Sequence, residues 1–339
     1  RMAMDFACGR GQHPRNGPGT FKRGGRRPPR AGVNAARRVW RGRLALAATV
    51  VMWSRPPLFQ FWLAGPFDAW TQNCSRYAAG VLAMTPFLLV RTGRPRPALA
   101  RTDWLGCALA AVPNAVHQVA QTLAVVVLWP GVYALLGRMS VIITAVLAVA
   151  VFADERWIAR STKFQAGIAL GLVGVAGLAW VPGGAPVAGR AAALALAIAA
   201  AAAWAVYGIL VKKFTARAGP TLGFGVIGLF TTLVLLPFML VLGDPAAVLR
   251  ADAWSNFILF GSGVVSIGLG HWLYYIGIRD LGAAPAQSAL LLCPLGTMLL
   301  SAGLFGESFR AEQVASGAVL LLGAFLSLTA SPPVIEEPA

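Results

Sequence analysis

Long apolar runs separated by short polar segments dominate the sequence. A helix needs about 20 apolar residues to cross the hydrocarbon core of a membrane. Five runs in the second half reach that length without any Asp, Glu, Lys or Arg. The first half holds five less regular runs, two of which are separated by the turn signal Trp129-Pro130-Gly131. The predicted helices span residues 44–63, 75–90, 103–127, 131–152, 164–181, 191–211, 218–243, 253–278, 281–306 and 313–335.

Composition supports the same fold class. The chain is 57% hydrophobic and 12% charged, whereas soluble domains carry about 25% charged residues. We therefore expect an all-α integral membrane protein with ten transmembrane helices. The four cysteines have neither metal-binding nor redox spacing, so no metal and no cofactor is expected.

The net charge of +17 is concentrated at the amino terminus. Residues 1–43 hold twelve Lys and Arg and one acid, Asp5, which accounts for +11 of the total. The segment is rich in Gly, Pro and Arg and lacks apolar periodicity, so it is predicted to be a disordered basic tail. Its expected role is to orient the first helix and contact anionic lipid. RNA binding and an organelle transit peptide are the alternatives.

Positive charge also predicts the orientation. With the tail inside, the predicted inner loops carry eleven Lys and Arg, and the outer loops and helix ends carry four, including Arg76. Both termini are therefore expected to be cytoplasmic, in a multi-pass protein of the cell (inner) membrane.

The two halves of the chain share a ground plan. Phe152-Ala153-Asp154-Glu155 precedes a helix that opens at Gly167, and Phe305-Gly306-Glu307 precedes one that opens at Gly317. A histidine precedes each glutamate by a similar distance, His117 by 38 residues and His271 by 36. Because each repeat has five helices, the second must be inverted relative to the first, which is an arrangement typical of secondary transporters. The predicted repeats span residues 44–181 and 190–330.

Several motifs resemble the EamA-type drug/metabolite transporters. Leu136-Gly137-Arg138-Met139-Ser140-Val141 followed by Phe152-Ala153-Asp154-Glu155-Arg156 is similar to the fourth-helix signature of that family. Gly270-His271-Trp272-Leu273-Tyr274-Tyr275, Leu281-Gly282-Ala283, Pro294 and Gly306-Glu307 are similar to its eighth and ninth helices. The resemblance covers roughly residues 44–330 and implies a ten-helix metabolite carrier or exporter of the plasma membrane.

Polar residues at membrane depth are the candidate site, because they usually face a cavity or a partner. The predicted substrate-binding residues are Asn114, His117, Gln118, Gln121, Arg138, His271, Tyr275 and Arg55. The first four share one face of the third helix, where the alternative role is hydrogen bonding between helices.

Each of the other candidates also has a structural alternative. Arg138 either attracts an anion or caps carbonyls exposed by a neighbouring helix break, and Arg55 has the same choice beside Pro56. His271 is either a proton carrier or an ordinary core residue. Glu155 and Glu307 are expected to cap the following helices or to form gating ion pairs.

No Asp or Glu falls in the middle of a predicted span, which argues against an exporter of organic cations. The expected function is secondary transport of small polar metabolites, amino-acid-like or carboxylate-bearing, by alternating access. The alternatives are a scaffold or receptor that does not transport and an intramembrane enzyme; the scarcity of histidines and central acids argues against the enzyme. Expected partners are a small-molecule solute and the lipid bilayer, without nucleic acid; a monomer and a homodimer both remain open.

Overall fold

A computed structural model describes residues 30–89, 99–151, 153–180, 187–214, 219–281 and 283–330, which form helices and contain no strand. The α-helices are α1 (Arg30–Trp53), α2 (Pro56–Leu63), α3 (Ala69–Leu89), α4 (Arg101–Leu128), α5 (Pro130–Gly137), α6 (Met139–Val151), α7 (Thr162–Trp180), α8 (Val187–Phe214), α9 (Gly219–Leu242), α10 (Ala247–Arg250), α11 (Ala253–Ser262), α12 (Gly270–Leu281), α13 (Ala283–Leu290), α14 (Cys293–Phe305) and α15 (Ala311–Leu328). A 3₁₀ helix covers Ala153–Arg160, and a π-helical segment, Gly263–Leu269, joins α11 to α12.

Eight helical stretches of the described chain are long and apolar enough to cross a membrane. They are Arg101–Leu128, Pro130–Val151, Thr162–Trp180, Gly189–Val211, Leu222–Leu242, Ala253–Leu281, Pro285–Phe305 and Ala311–Leu328. They coincide with the third to tenth predicted helices. Many large apolar side chains on these stretches are exposed, Leu240 and Val241 among them, as expected of a surface that faces lipid. The all-α membrane fold is thereby confirmed.

The first two predicted helices are present as α1–α2 and α3, but they are not among the eight apolar stretches. In α3 the cause is a polar first half. Thr71, Gln72, Asn73 and Arg76 are all buried at 1% exposure or less. The helix begins at residue 69 rather than 75, so Arg76 lies about two turns inside the helix and not at its outer end as predicted.

The predicted disordered tail is too long at its carboxyl end. Helix α1 begins at Arg30, so only residues 1–29 of the tail fall outside the described residues. Arg41 donates from Nε and Nη2 to the carboxylate of Asp280, at 2.7 and 3.0 Å. Gly42 lies against Leu281 with no room for a β-carbon. These contacts with the end of α12 hold residues 30–43 in the helix.

Three helical stretches are interrupted. Ser54 and Arg55 separate α1 from α2, Arg138 separates α5 from α6, and residues 291–292 separate α13 from α14. Proline follows the first and third breaks, at Pro56 and Pro294, where it removes a backbone donor. Each break leaves carbonyl groups that need other donors.

Glycines bring α7 and α15 into close contact. A β-carbon on Gly174 would lie 2.5 Å from the backbone nitrogen of Leu320, and Gly323 lies directly against the backbone of Gly167 and Gly171. Small residues at a helix interface allow this kind of backbone approach in membranes. Gly167, Gly171 and Gly174 of α7 therefore serve helix packing, and none of them lines the cavity described below.

Several other helix pairs connect the two halves. Helix α4 packs along α8, α1 along α12, α3 along α9, and α5 along α14. The cavity described next lies among these pairs.

Candidate functional site

A cavity of about 90 Å³ lies among helices from both halves of the chain. The first half contributes Trp53, Pro56, Pro57, Arg76, His117, Gln118, Gln121, Tyr133, Ala134, Gly137, Arg138 and Ser140. The second half contributes Ala201, Trp204, Ser266, Ile267, His271, Cys293, Pro294 and Thr297. The three helix breaks described above and the π-helical segment border this space. Pockets that enclose small organic molecules usually measure 300–1,000 Å³, so the walls must move apart to admit a solute.

Five of the eight predicted binding residues line the cavity. They are His117, Gln118, Gln121, Arg138 and His271. The structure therefore brings together residues from α4, the α5–α6 break and α12 that lie up to 154 positions apart in sequence. Asn114, Tyr275 and Arg55 are not part of the cavity wall.

The glutamines of α4 are held by hydrogen bonds around the cavity. Gln118 donates to the hydroxyl of Tyr77 at 3.1 Å. Gln121 donates to the side-chain oxygen of Gln60 and accepts from the hydroxyl of Tyr133, the latter at 3.2 Å. These bonds fix the orientation of the amides, so the wall is preorganised.

Asn114 and Tyr275 serve as contacts between helices. Asn114 donates to Thr231 at 3.0 Å and accepts from Tyr77 at 3.1 Å, which joins α4 to α9 and α3. The hydroxyl of Tyr275 lies 3.0 Å from that of Tyr207 on α8. For these two residues the geometry supports the structural alternative.

Arg138 lies at the break between α5 and α6, where it caps a carbonyl and also lines the cavity. Its Nη1 donates to the carbonyl of Leu290 at 3.0 Å, next to the break between α13 and α14. Its Nε is buried without a hydrogen-bond partner, and the residue lines the cavity. Arg55 stands half-buried at the break between α1 and α2, outside the cavity wall.

Both histidines of the cavity have one ring nitrogen committed to a backbone carbonyl. His117 Nδ1 lies 2.8 Å from the carbonyl of Ala200, and His271 Nδ1 lies 2.9 Å from that of Ile267. Since a carbonyl only accepts, Nδ1 carries the proton in each ring. Nε2 of His271 is buried without a partner. In the neutral ring this atom is an acceptor that a solute can use.

Aromatic rings surround His271. Its ring stacks on Phe224 at 5.1 Å and meets Trp53 edge-on at 4.9 Å between centroids. Trp204 contacts His117 at 4.9 Å and Trp53 at 5.9 Å. The cavity therefore has one polar wall, formed by α4, and an aromatic wall between the two histidines.

Sequence reasoning missed Arg76 as a site residue. This side chain is 1% exposed, lines the cavity, and donates from Nε to the hydroxyl of Ser262 at 3.0 Å. Its Nη1 is buried without a partner. The polar residues Thr71-Gln72-Asn73 are not typical of a membrane helix, so the start of α3 was predicted too late. A helix that begins at residue 69 places Arg76 at membrane depth.

The cavity wall carries two guanidinium groups, Arg76 and Arg138, and no Asp or Glu. Neither arginine forms an ion pair within the described part of the chain. In the same ranges no group of three His, Cys, Asp or Glu side chains is placed to hold a metal ion. The site is therefore cationic and suited to an anionic ligand.

Comparison with known families and structures places the second half of the chain. Residues 191–329 match the EamA-like transporter family. The match includes the second-half motifs that resemble this family, and the family's members are transporters rather than enzymes. Together with the apolar helices it supports a multi-pass membrane transporter. No curated protein matches the chain.

A solved crystal structure, described only as that of a protein, shares the fold. It aligns with a TM-score of 0.61 and 18% sequence identity, over 88% of this chain and 99% of its own. Identity this low supports a shared architecture and carries no information about the solute.

Glu307 ties the EamA-like half to the first half. Its carboxylate accepts from the backbone nitrogens of Gly131 at 2.8 Å and Val132 at 3.2 Å, and from the hydroxyl of Ser301. It therefore caps α5, whereas the predicted roles were capping of the helix that follows it or a gating ion pair. Burial raises the pKa of the Glu307 carboxyl above its usual value, although the donated hydrogen bonds oppose that shift. Glu155 lies in the 3₁₀ helix Ala153–Arg160, and its side chain is outside the described residues.

Proposed function

We propose that the protein is a secondary transporter of small carboxylate-bearing metabolites that works by alternating access. The observation that carries the proposal is the cationic cavity, which is enclosed by helices of both halves and lined by Arg76 and Arg138 without a carboxylate. A buried unpaired cation costs a few kcal/mol even on lenient insertion scales. An anionic solute that binds there lowers this cost.

The helix packing supports an inverted repeat of ten spans. In such a repeat, each span of the first half corresponds to the span five places later in the second half. The contact between the first and eighth spans (α1 with α12) should therefore have a counterpart between the sixth and third spans (α8 with α4), and both contacts occur. The pairs α3 with α9, α5 with α14 and α7 with α15 each map onto themselves. A pseudo-two-fold relation between the halves accounts for this set of contacts.

We interpret the cavity, which is too small to admit a solute in this structure, as one closed state of a transport cycle in which the two halves rock around the site. Glu307 fastens the end of α14 to the start of α5. By the positive-inside orientation this contact lies on the outer face, with both termini in the cytoplasm of a cell (inner) membrane. Opening toward that face requires the contact to break, so Glu307 acts as an outer latch.

Flux measurements in proteoliposomes test the proposal. Wild-type protein should move small carboxylates, and Arg138→Gln should reduce that flux by about tenfold or more, the effect of losing one charge-assisted contact. Arg138→Lys should restore part of it, because lysine keeps the charge without the planar fork.

The control is the yield and melting temperature of each variant. Glutamine is shorter than arginine and loses the bond to Leu290, so flux is compared per amount of folded protein. Transport of carboxylates by Arg138→Gln at the wild-type rate would show that Arg138 is structural and would refute this account of the site.

A further inference from the structure

Buried polar atoms without partners are concentrated around the cavity. Among the described residues, eight buried side-chain atoms lack a hydrogen-bond partner in the protein. Four of the eight belong to residues of the cavity wall: Arg76 Nη1, Arg138 Nε, Ser266 Oγ and His271 Nε2. Native proteins leave few such atoms, and each calls for an explanation. A polar ligand bound in the cavity would supply the missing partners.

The chemistry of these atoms indicates the charge of that ligand. Arg76 Nη1 and Arg138 Nε can only donate, and the hydroxyl of Ser266 can also donate. The fourth atom, His271 Nε2, accepts in the neutral ring and pairs with a donor of the ligand, such as a hydroxyl group. The two guanidinium groups place a formal charge of +2 on a wall that holds no carboxylate. One carboxylate would compensate half of that charge.

The two arginines stand on different elements of the wall. Arg76 is anchored through Nε to Ser262 at the end of α11, and Arg138 through Nη1 to Leu290 at the end of α13. A guanidinium held at one nitrogen keeps its remaining donors fixed, which favours planar oxyanions. Both guanidinium groups line the same cavity, and each keeps a donor without a partner in the protein.

We propose that Arg76 and Arg138 each bind one anionic group of the same solute, so that the preferred substrate is a small dianion such as a dicarboxylate. This inference rests on the proposed function and narrows its substrate class. It assigns a direct role in specificity to Arg76, which the sequence analysis placed at the outer end of the second predicted helix.

The test uses the purified full-length chain and two matched sets of probes. Malonate and succinate carry two carboxylates, while propionate and butyrate have the same carbon counts and carry one. Ligand-induced thermal stabilisation at near-neutral pH gives the half-effect concentration for each probe. Wild-type protein should bind at least one dicarboxylate roughly tenfold to a hundredfold more tightly than the monocarboxylate of equal length, the gain from one further charge-assisted contact.

Variants assign the preference to Arg76. Arg76→Gln should remove the preference, so that a dicarboxylate and the monocarboxylate of equal length have similar half-effect concentrations, because Arg138 is the one cation left on the wall. Ser262→Ala, the matched control, removes the anchor of Arg76 while keeping its charge, and it should retain most of the preference. A purely structural Arg76 would change the melting temperature of the variants without changing the ratio between the two probes.

The remaining outcomes separate this inference from the proposed function. Equal binding of both probe sets by wild type, or an unchanged preference in Arg76→Gln, overturns the dianion and leaves carboxylate transport standing. Transport of neutral solutes without binding of any carboxylate overturns both. Should Arg76→Gln fail to fold, Arg138→Gln decides: with one cation left it must bind both probe sets alike, and a retained preference overturns the inference.

Discussion

The contact between α7 and α15 offers the sharpest test of the packing. A β-carbon on Gly174 would lie 2.5 Å from the backbone nitrogen and 2.7 Å from the Cα of Leu320. Ordinary contacts of a β-carbon begin near 3.4 Å, so Gly174→Ala must push the two helices apart by about 0.9 Å. Backbone atoms cannot swing aside as a side chain can. We therefore expect a cost of about 1–3 kcal/mol, the range for overpacked cores.

The control is Gly208→Ala in α8, where a β-carbon meets nothing within 4 Å. Alanine gains up to about 1 kcal/mol over glycine in a helix, and both variants share this gain, so their difference isolates the overlap. At roughly 2–4 °C per kcal/mol, Gly174→Ala should melt roughly 5 °C below Gly208→Ala in a thermal-shift assay on the purified protein. Equal melting temperatures would show that α7 and α15 do not touch at Gly174.

Three further predictions concern the Glu307 cap, the ion pairs of Asp280 and the orientation in the membrane. Glu307→Ala leaves the first backbone donors of α5 without an acceptor and should lower stability by about 0.5–2 kcal/mol, the usual cost of a lost cap, with Glu307→Gln in between; equal melting temperatures would contradict the latch. Asp280→Asn should lower the melting temperature, because Asp280 pairs with Arg38, Arg41 and Arg279, and high salt should shrink the difference. Cysteine at Pro186→Cys should react with an impermeant reagent from outside, and cysteine at Arg94→Cys only after permeabilisation; the reverse pattern would refute the orientation.

The apolar helices could be predicted because lipid imposes a simple rule on their composition. Every predicted span from the third to the tenth coincides with an apolar helix of the described chain, since a charge-free run of that length has few other stable conformations in a membrane. The rule fails where a helix is polar. Thr71-Gln72-Asn73 falls between the first two predicted helices, because composition does not show that other helices enclose these polar residues. In the structure Asn73, for example, donates to Thr122 at 2.9 Å.

The site could be predicted in part for a related reason. Helical spacing placed Asn114, His117, Gln118 and Gln121 on one face, yet it could not show which member points at a neighbour. Asn114 meets Thr231, 117 positions away, and Glu307 meets Gly131, 176 positions away. Such partners depend on how the halves come together, which a local pattern does not contain.

Two sets of side-chain hydrogen bonds join the fourth predicted span to the ninth among the described residues, and each set includes a charged group. At the end of α14, Glu307 holds the start of α5. Deeper in, Arg138 holds the carbonyl of Leu290 beside the break between α13 and α14. A solute carboxylate that accepts from Nε of Arg138 leaves the bond from Nη1 to Leu290 in place. Under the proposed function, the solute therefore binds a side chain that already joins the two halves, and any difference in affinity between the two arrangements of the halves couples binding to the movement that transport requires.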